Sequence, residues 1–489
     1  MTRELGAART EGPPAVHRQG VTRDVTVQIA GRFANLVLGV FVTIVVVRSL
    51  GDVGFGEWSS LLAVIALAQA LSDLGFTQVT VRRAAEDPRG EPEWLGALVQ
   101  LKLALSIIAF GVSGAVVIAI STSTEMRTAG LIVSLTLLLA APSALRAIFQ
   151  LRIRNDLVIL VITVNSLLWA LAAVAVLAWG ESLVALALGF AAALAVATAL
   201  QVVLALRLGT VRLRGVRHRW PEMLRVGIPV AIGSALILSY GRIDQILVLE
   251  LAGAEDAGLY GAVYRIFDQS QFVAISVATT IFPLLAASYA TDPGRFRNLL
   301  QTAAEVMLAP MIGGFVLVLV YAEDLVTVLF GSEFAPAADA LIVLTATLIP
   351  VSLGYLVGMV VILTETQRAF MAVAAAGLVF NVAANIAVIP IWGFVAAAWV
   401  TLLTELLVLG LASAFVRRRL PATLTLGRVP RIAGAALVVL ILLMVLRALS
   451  APVSLAILVV AISYPAALLA VRAVSIAELA SLRRRATTS

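Results

Sequence analysis

Residues 45–71 read VVVRSLGDVGFGEWSSLLAVIALAQAL: an apolar run, a polar glycine-rich break from Arg48 to Trp58, and a second apolar run. The runs extend to 27–47 and 56–76, and about 20 apolar residues suffice to cross the hydrocarbon core as a helix. Glycine permits a tight backbone reversal and tryptophan favours the lipid–water interface. The stretch therefore predicts two membrane helices joined at one membrane surface.

Working outward, the alternation continues. Further apolar windows fall at 95–120, 128–149, 157–179, 182–206, 222–248, 257–290, 300–321, 339–363, 370–390, 394–416, 430–449 and 452–471. Only a helix or a closed barrel satisfies its own backbone groups in lipid. These runs lack the period-two alternation of barrel strands. The predicted fold class is an all-α membrane protein of about 14 transmembrane helices. Composition agrees, with 61% hydrophobic and 13% charged residues and a mean hydropathy of +1.04. A soluble domain carries about 25% charged residues.

The net charge of +7 does not indicate nucleic acid, because the basic residues lie between apolar runs rather than on a basic domain. Assigning the loops alternately to two sides puts 26 arginines on one side and only Arg48, Arg127 and Arg447 on the other. By the positive-inside rule the first side is cytoplasmic, and both termini lie there. The first 26 residues read as a polar tail rather than a signal peptide. With no cysteine and two histidines (His17 and His218), no thiol chemistry, metal site or cofactor is expected.

The basic segments 207–221 and 417–429 divide the chain. The expected organisation is a tail 1–26, helices one to six over 27–206, a linker 207–221, and helices seven to twelve over 222–416. A second linker 417–429, a helix pair 430–472 and a tail 473–489 complete it. Segment 207–221 reads both as an inter-lobe linker and as a loop touching anionic headgroups. The two six-helix blocks share an echo: Gly51-x4-Gly56-x-Trp58 follows the first helix, and Gly253-x4-Gly258-x-Tyr260 follows the seventh, each with an acid between its glycines. A parallel repeat of this kind suggests two pseudo-symmetric lobes around a midplane site.

Several stretches carry a family resemblance. They are Arg48–Trp58 with Ser72–Phe76, Arg82 and Arg83; Gly227-Ile-Pro229 with Asp244; Gly258-Leu-Tyr260 with Tyr264-Arg265-Ile266; Leu329–Phe334; and Ile389–Ala398. In this order and spacing the chain resembles the polysaccharide-transport branch of the multidrug/oligosaccharidyl-lipid/polysaccharide exporter superfamily, over nearly its whole length. The resemblance implies two six-helix lobes facing a central cavity that opens alternately to each side. It implies a polyprenyl-diphosphate-linked sugar as substrate and a bacterial inner membrane as location. Helices 13 and 14 fit this branch and the lipid-linked murein precursor flippases rather than the drug exporters. Ala396-Ala-Ala398 departs from the Gly-Ala pair common in the family.

A lipid diphosphate is anionic, so arginines facing a wet cavity would offset its transfer through a low dielectric. Arg32, Arg242 and Arg265 are the candidate cavity arginines, although Arg32 also reads as snorkelling to the headgroups. Arg265 and Asp268, at i,i+3, share a helix face and form either a cavity pair or a structural one. Arg242 and Asp244, at i,i+2, do not share a face, and Asp244 is placed to face Arg265. Asp244 and Asp268 are the carboxylates for ion coupling, by proton or sodium, or for structural pairing. Glu405 is a minor candidate without an obvious partner, and Pro229, Pro283, Pro310 and Pro350 are expected to interrupt helices seven to ten.

The resulting expectation is a flippase, not an enzyme. It would carry the lipid-linked oligosaccharide from the cytoplasmic to the outer leaflet for cell-surface polysaccharide biosynthesis. The expected partners are membrane lipids and a polysaccharide polymerase or glycosyltransferases. Two alternatives stand: a drug or small-metabolite antiporter of the same fold, and a membrane glycosyltransferase or ligase. The second is disfavoured because the loops of the arginine-poor side are short.

Overall fold

The computed structural model describes residues 18–73, 76–179, 182–289, 291–364, 366–419 and 427–472, and among them every regular element is a helix. The first part holds α1 (Arg18–Asp73), α2 (Phe76–Glu86) and α3 (Glu91–Ile120). Next, α4 (Thr124–Leu135), α5 (Ala140–Ser143) and α6 (Arg146–Leu151) make one interrupted crossing, followed by α7 (Asn155–Trp179) and α8 (Leu183–Leu206). The second part runs through α9 (Trp220–Tyr240), α10 (Ile243–Ala252), α11 (Ala254–Ser270) and α12 (Phe272–Tyr289). It continues with α13 (Pro293–Phe330), α14 (Ala338–Leu363) and α15 (Gln367–Arg419), and α16 (Val429–Ala448) and α17 (Val453–Ala470) follow.

Straight, the 56 residues of α1 would reach about 84 Å, nearly three times the thickness of a hydrocarbon core. The helix turns instead at Gly51, where φ is 65° and ψ −172°, a conformation open to glycine and hostile to a Cβ. The 53-residue α15 turns in the same way at Gly393. Eleven helices of the described residues are long and apolar enough to cross a membrane. Two of them turn and make two passes each, and α9 with α10 adds another, so the described residues form an all-helical, multi-pass membrane protein with fourteen crossings. The 27–76 hairpin read from the sequence is thus present, with its reversal inside the Arg48–Trp58 break.

One difference from the expected helices matters for the site. The crossing predicted as 222–248 is broken at Gly241 and Arg242, where the backbone leaves helical dihedrals (Arg242 φ −138°, ψ −20°). The crossing predicted as 257–290 passes from α11 to α12 at Gln271, whose backbone stays near helical (φ −63°, ψ −17°). Helices α12, α13 and α14 run through Pro283, Pro310 and Pro350 without interruption. Neighbouring helices in a bundle can satisfy the carbonyl that a proline leaves free, so proline alone does not break a membrane helix.

The basic segment after α8 lies along the start of α3. Arg212 N–H donates to the Pro92 carbonyl at 2.9 Å, and its guanidinium meets Glu93 at 2.9 Å. Arg219 also reaches Glu93 (3.3 Å) and covers the Trp94 ring at 4.6 Å. At the end of α2, Arg82 and then Arg83 hold the exposed Glu86 carboxyl below the ordinary carboxylate range. Arg83 also bridges to Glu222 at the start of α9 at 2.7 Å.

The last two helices seat on α13. Ile432, Ala435, Val439, Leu443 and Ala456 form a small core with Ala309, Val316 and Tyr321. The Tyr464 hydroxyl donates to the Ala309 carbonyl at 2.9 Å, and its ring lies over Gly313, where an added Cβ would stand 2.5 Å from it. Gly313→Leu should therefore overpack this seam and destabilise the seating of α17 by about 1–3 kcal/mol. Thermal unfolding in detergent checks this, with Gly314→Leu as control because that position faces open space.

Candidate functional site

The break in the seventh crossing shapes the site. Because Arg242 has left the helix, its guanidinium reaches across to Asp268 on α11 at 2.8 Å and lies 5.6 Å from the centre of the Tyr264 ring. Tyr264 secures the break by donating to the Gly241 carbonyl at 2.5 Å. Asp268 thus has Arg242 as its ion-pair partner, rather than the Arg265 that shares its helix face. The i,i+2 spacing of Arg242 and Asp244 said only that these two do not pair on one face; the partner of Arg242 comes from α11, across the break.

Arg265, half-buried and eleven residues into α11, is about 16 Å along the helix. Among the described residues it makes no ion pair, although Asp268 lies within its electrostatic reach. Arg242 and Asp268 pair, Asp244 is a second carboxylate within electrostatic reach of Arg242, and Arg265 is left as the guanidinium without an ion pair among the described residues.

Asp244 does not face Arg265. It is fully buried, and its carboxylate accepts from Tyr260 Oη at 2.5 Å and Gln245 N–H at 2.9 Å, with Thr401 Oγ1 at 3.2 Å. These contacts join α10, α11 and the second pass of α15. The reason is positional: Asp244 starts α10 beyond the break, on the side of Tyr260 rather than of Arg265. Next to this knot, Asn381 donates to Thr404 at 3.2 Å and Asn385 donates to Asn381 at 3.0 Å. Asn385 Oδ1 is buried without a partner among the described residues. The side chain of Arg32 falls outside the described residues.

Sequence reasoning missed the neutral members of the site. Tyr355 donates to Gln271 Oε1 at 3.1 Å, and Gln269 packs its amide on Gly39 of α1. Tyr240 faces Glu405. The available signal was a tyrosine, glutamine or asparagine inside an apolar run, which the search for charges passed over.

One end of the bundle is stitched by the repeated glycine motifs. Gly253 has the same kind of backbone as Gly51 (φ 95°, ψ 178°), and the two motifs pack on each other. A Cβ on Gly56 would sit 1.8 Å from the Ala254 carbonyl oxygen, and one on Gly258 would sit 1.8 Å from the Asp52 carbonyl oxygen. Arg48 donates to the carbonyls of Leu329 (2.9 Å) and Val328 (2.5 Å) at the end of α13, and Asp256 accepts from Phe394 N–H at 3.2 Å beside the Gly393 turn.

Among the described residues, membrane-length helices surround a buried set of charged side chains, and this defines a multi-pass membrane protein with a polar site inside its bundle. Residues 21–288 match the family model described as polysaccharide biosynthesis protein, more than half of the chain, and the protein belongs to that family. Solved structures share the fold. "Lipid II flippase MurJ, inward closed conformation" superposes with a TM-score of 0.75 at 12% identity, covering 91% of this chain and 98% of that one. "Inward-facing conformation of a multidrug resistance MATE family transporter of the MOP superfamily" gives 0.63 at 14% identity, covering 82% and 98%. A MOP superfamily transporter from Pyrococcus furiosus gives 0.57 at 14%, covering 82% and 94%. No curated protein matches the sequence. The chain is thus a multi-pass membrane protein of the polysaccharide biosynthesis family that shares its fold with these transporters.

Proposed function

We propose that this protein carries a polyprenyl-diphosphate-linked oligosaccharide from the cytoplasmic to the outer leaflet of a bacterial inner membrane, by alternating access. The observation that carries the reading is Arg265, a mid-membrane guanidinium that makes no ion pair among the described residues, beside the Arg242–Asp268 pair. An unpaired cation there is expensive unless an anion arrives to meet it, and a diphosphate is such an anion. A cationic drug would meet the wrong sign of charge, which weighs against the antiporter reading. In this proposal the lobes are 27–206 and 222–416, both termini are cytoplasmic, and the glycine-stitched end is the outer closure. Membrane lipids, a polymerase and glycosyltransferases are its proposed partners.

Deleting the gene tests the reading in cells. The expected result is loss of surface polysaccharide with accumulation of the lipid-linked saccharide on the cytoplasmic leaflet. Unchanged polysaccharide together with sensitivity to cationic drugs would contradict it.

A further inference from the structure

Glu405 is twelve residues past the Gly393 turn, and so about 18 Å along the second pass of α15, near mid-membrane. Its carboxyl faces the Tyr240 hydroxyl at the end of α9. The other titratable groups around it are Tyr264 on α11 and Tyr355 on α14. Asp244 on α10 is tied to Thr401, one turn away on the helix of Glu405. Among the described residues no arginine, lysine or histidine pairs with Glu405.

The other acids of the spans are committed differently. Asp268 has the Arg242 guanidinium, Asp244 has Tyr260, Gln245 N–H and Thr401, and Glu305 accepts from Gln301 and from the Arg428 N–H. Glu405 has a phenol. A carboxylate with one neutral donor in a low dielectric is costly as an anion and cheap as an acid. Its charge therefore depends on which other charges come near it. Tyr264 neighbours Glu405, Asp268 and Arg242 at once, so the carboxyl and the arginine face belong to one electrostatic neighbourhood.

We propose that Glu405 is a proton-exchange site, and that loading of the anionic headgroup is linked to protonation of its carboxyl. In the step, a carboxylate oxygen of Glu405 takes a proton from cavity water, and returns it to water when the headgroup leaves. No electron transfer or other reactant is involved. By reciprocity, a headgroup that favours the proton is itself bound more tightly as pH falls. The linkage rests on the lipid-diphosphate reading above; the proton site does not.

Infrared difference spectroscopy of the full chain in lipid, titrated between about pH 5 and 8, tests the site without any substrate. The expected result is a protonated-carboxyl band that grows as pH falls and is missing in Glu405→Gln. Identical titrations in the two proteins would overturn it. Tyr240→Phe, which keeps the carboxyl and removes its donor, should move the band in frequency, and serves where the Gln variant does not accumulate; a band that stays put would contradict the assignment.

Calorimetry with farnesyl diphosphate in two buffers of different ionisation heat tests the linkage. The wild type should take up a measurable fraction of one proton per ligand, and Glu405→Gln none. Equal uptake in both would overturn the linkage. Farnesyl diphosphate that does not bind the wild type at all would overturn the diphosphate reading and the linkage with it, while the infrared band still decides the proton site. Arg265→Ala should weaken farnesyl diphosphate binding roughly tenfold to 150-fold and keep the band.

Discussion

Gly258→Val should leave the protein at normal abundance in the membrane and lower transport by roughly fivefold to 150-fold. The Cβ it introduces would stand 1.8 Å from the Asp52 carbonyl oxygen, a backbone atom that cannot swing aside. The two helix ends have to separate by more than an ångström, and overpacking of this kind costs about 1–3 kcal/mol. If the contact were only structural, that energy would fall on stability. If it is the outer closure of an alternating cycle, the energy falls on one conformation and shifts the population by the corresponding factor.

The chain contains no cysteine, so single cysteines report without background. Ser59, buried at 2% exposure beside Gly261, is the position to replace. A membrane-impermeant maleimide added outside should label Ser59→Cys far faster when Gly258→Val is present. Equal labelling, or full transport by Gly258→Val, would show that this contact does not gate the cavity.

The second large effect separates two arginines that look alike in sequence. Arg265→Ala should accumulate normally and fail in transport, because it removes a cation that makes no ion pair among the described residues. One charge-assisted hydrogen bond is worth about 1.5–3 kcal/mol, roughly a tenfold to 150-fold loss of headgroup affinity. Arg265→Lys should recover part of it, since an ammonium supplies charge without the planar fork that fits a phosphate. Arg242→Ala should fail earlier, in abundance, because it leaves Asp268 without its counter-ion. Arg242→Ala/Asp268→Ala should restore abundance. Quantitative immunoblots and headgroup binding on purified protein read the two effects apart, and matching phenotypes for Arg242→Ala and Arg265→Ala would refute the division.

The bundle was legible in the sequence because hydropathy is a property of each segment alone. The reversal near Gly51 could be read for the same reason: one glycine-rich break separates two membrane-length runs. That the Gly51 and Gly253 motifs touch could not be read, since an echo gives likeness and not proximity. The charged site was legible as a set, Arg242, Asp244, Arg265 and Asp268, but not as pairs. Pairing depends on the break at Gly241, where one departure from helical dihedrals turns Arg242 toward Asp268 and puts Asp244 against Tyr260. Helical spacing rules assume the continuity that the chain gives up there. Tyr240, Gln271 and Tyr355 escaped notice because neutral polar residues barely dent a hydropathy window, though in lipid they are where the remaining hydrogen bonds have to be found.

The central claim is that the cargo is a lipid diphosphate, and reconstitution tests it most directly. Purified protein is placed in liposomes carrying a fluorescent polyprenyl-diphosphate-linked saccharide, and a membrane-impermeant quencher added outside follows exchange between leaflets. The account predicts exchange well above that of protein-free liposomes, abolished by Arg265→Ala. Exchange at the protein-free rate, in vesicles whose protein still expels a cationic dye, would contradict it.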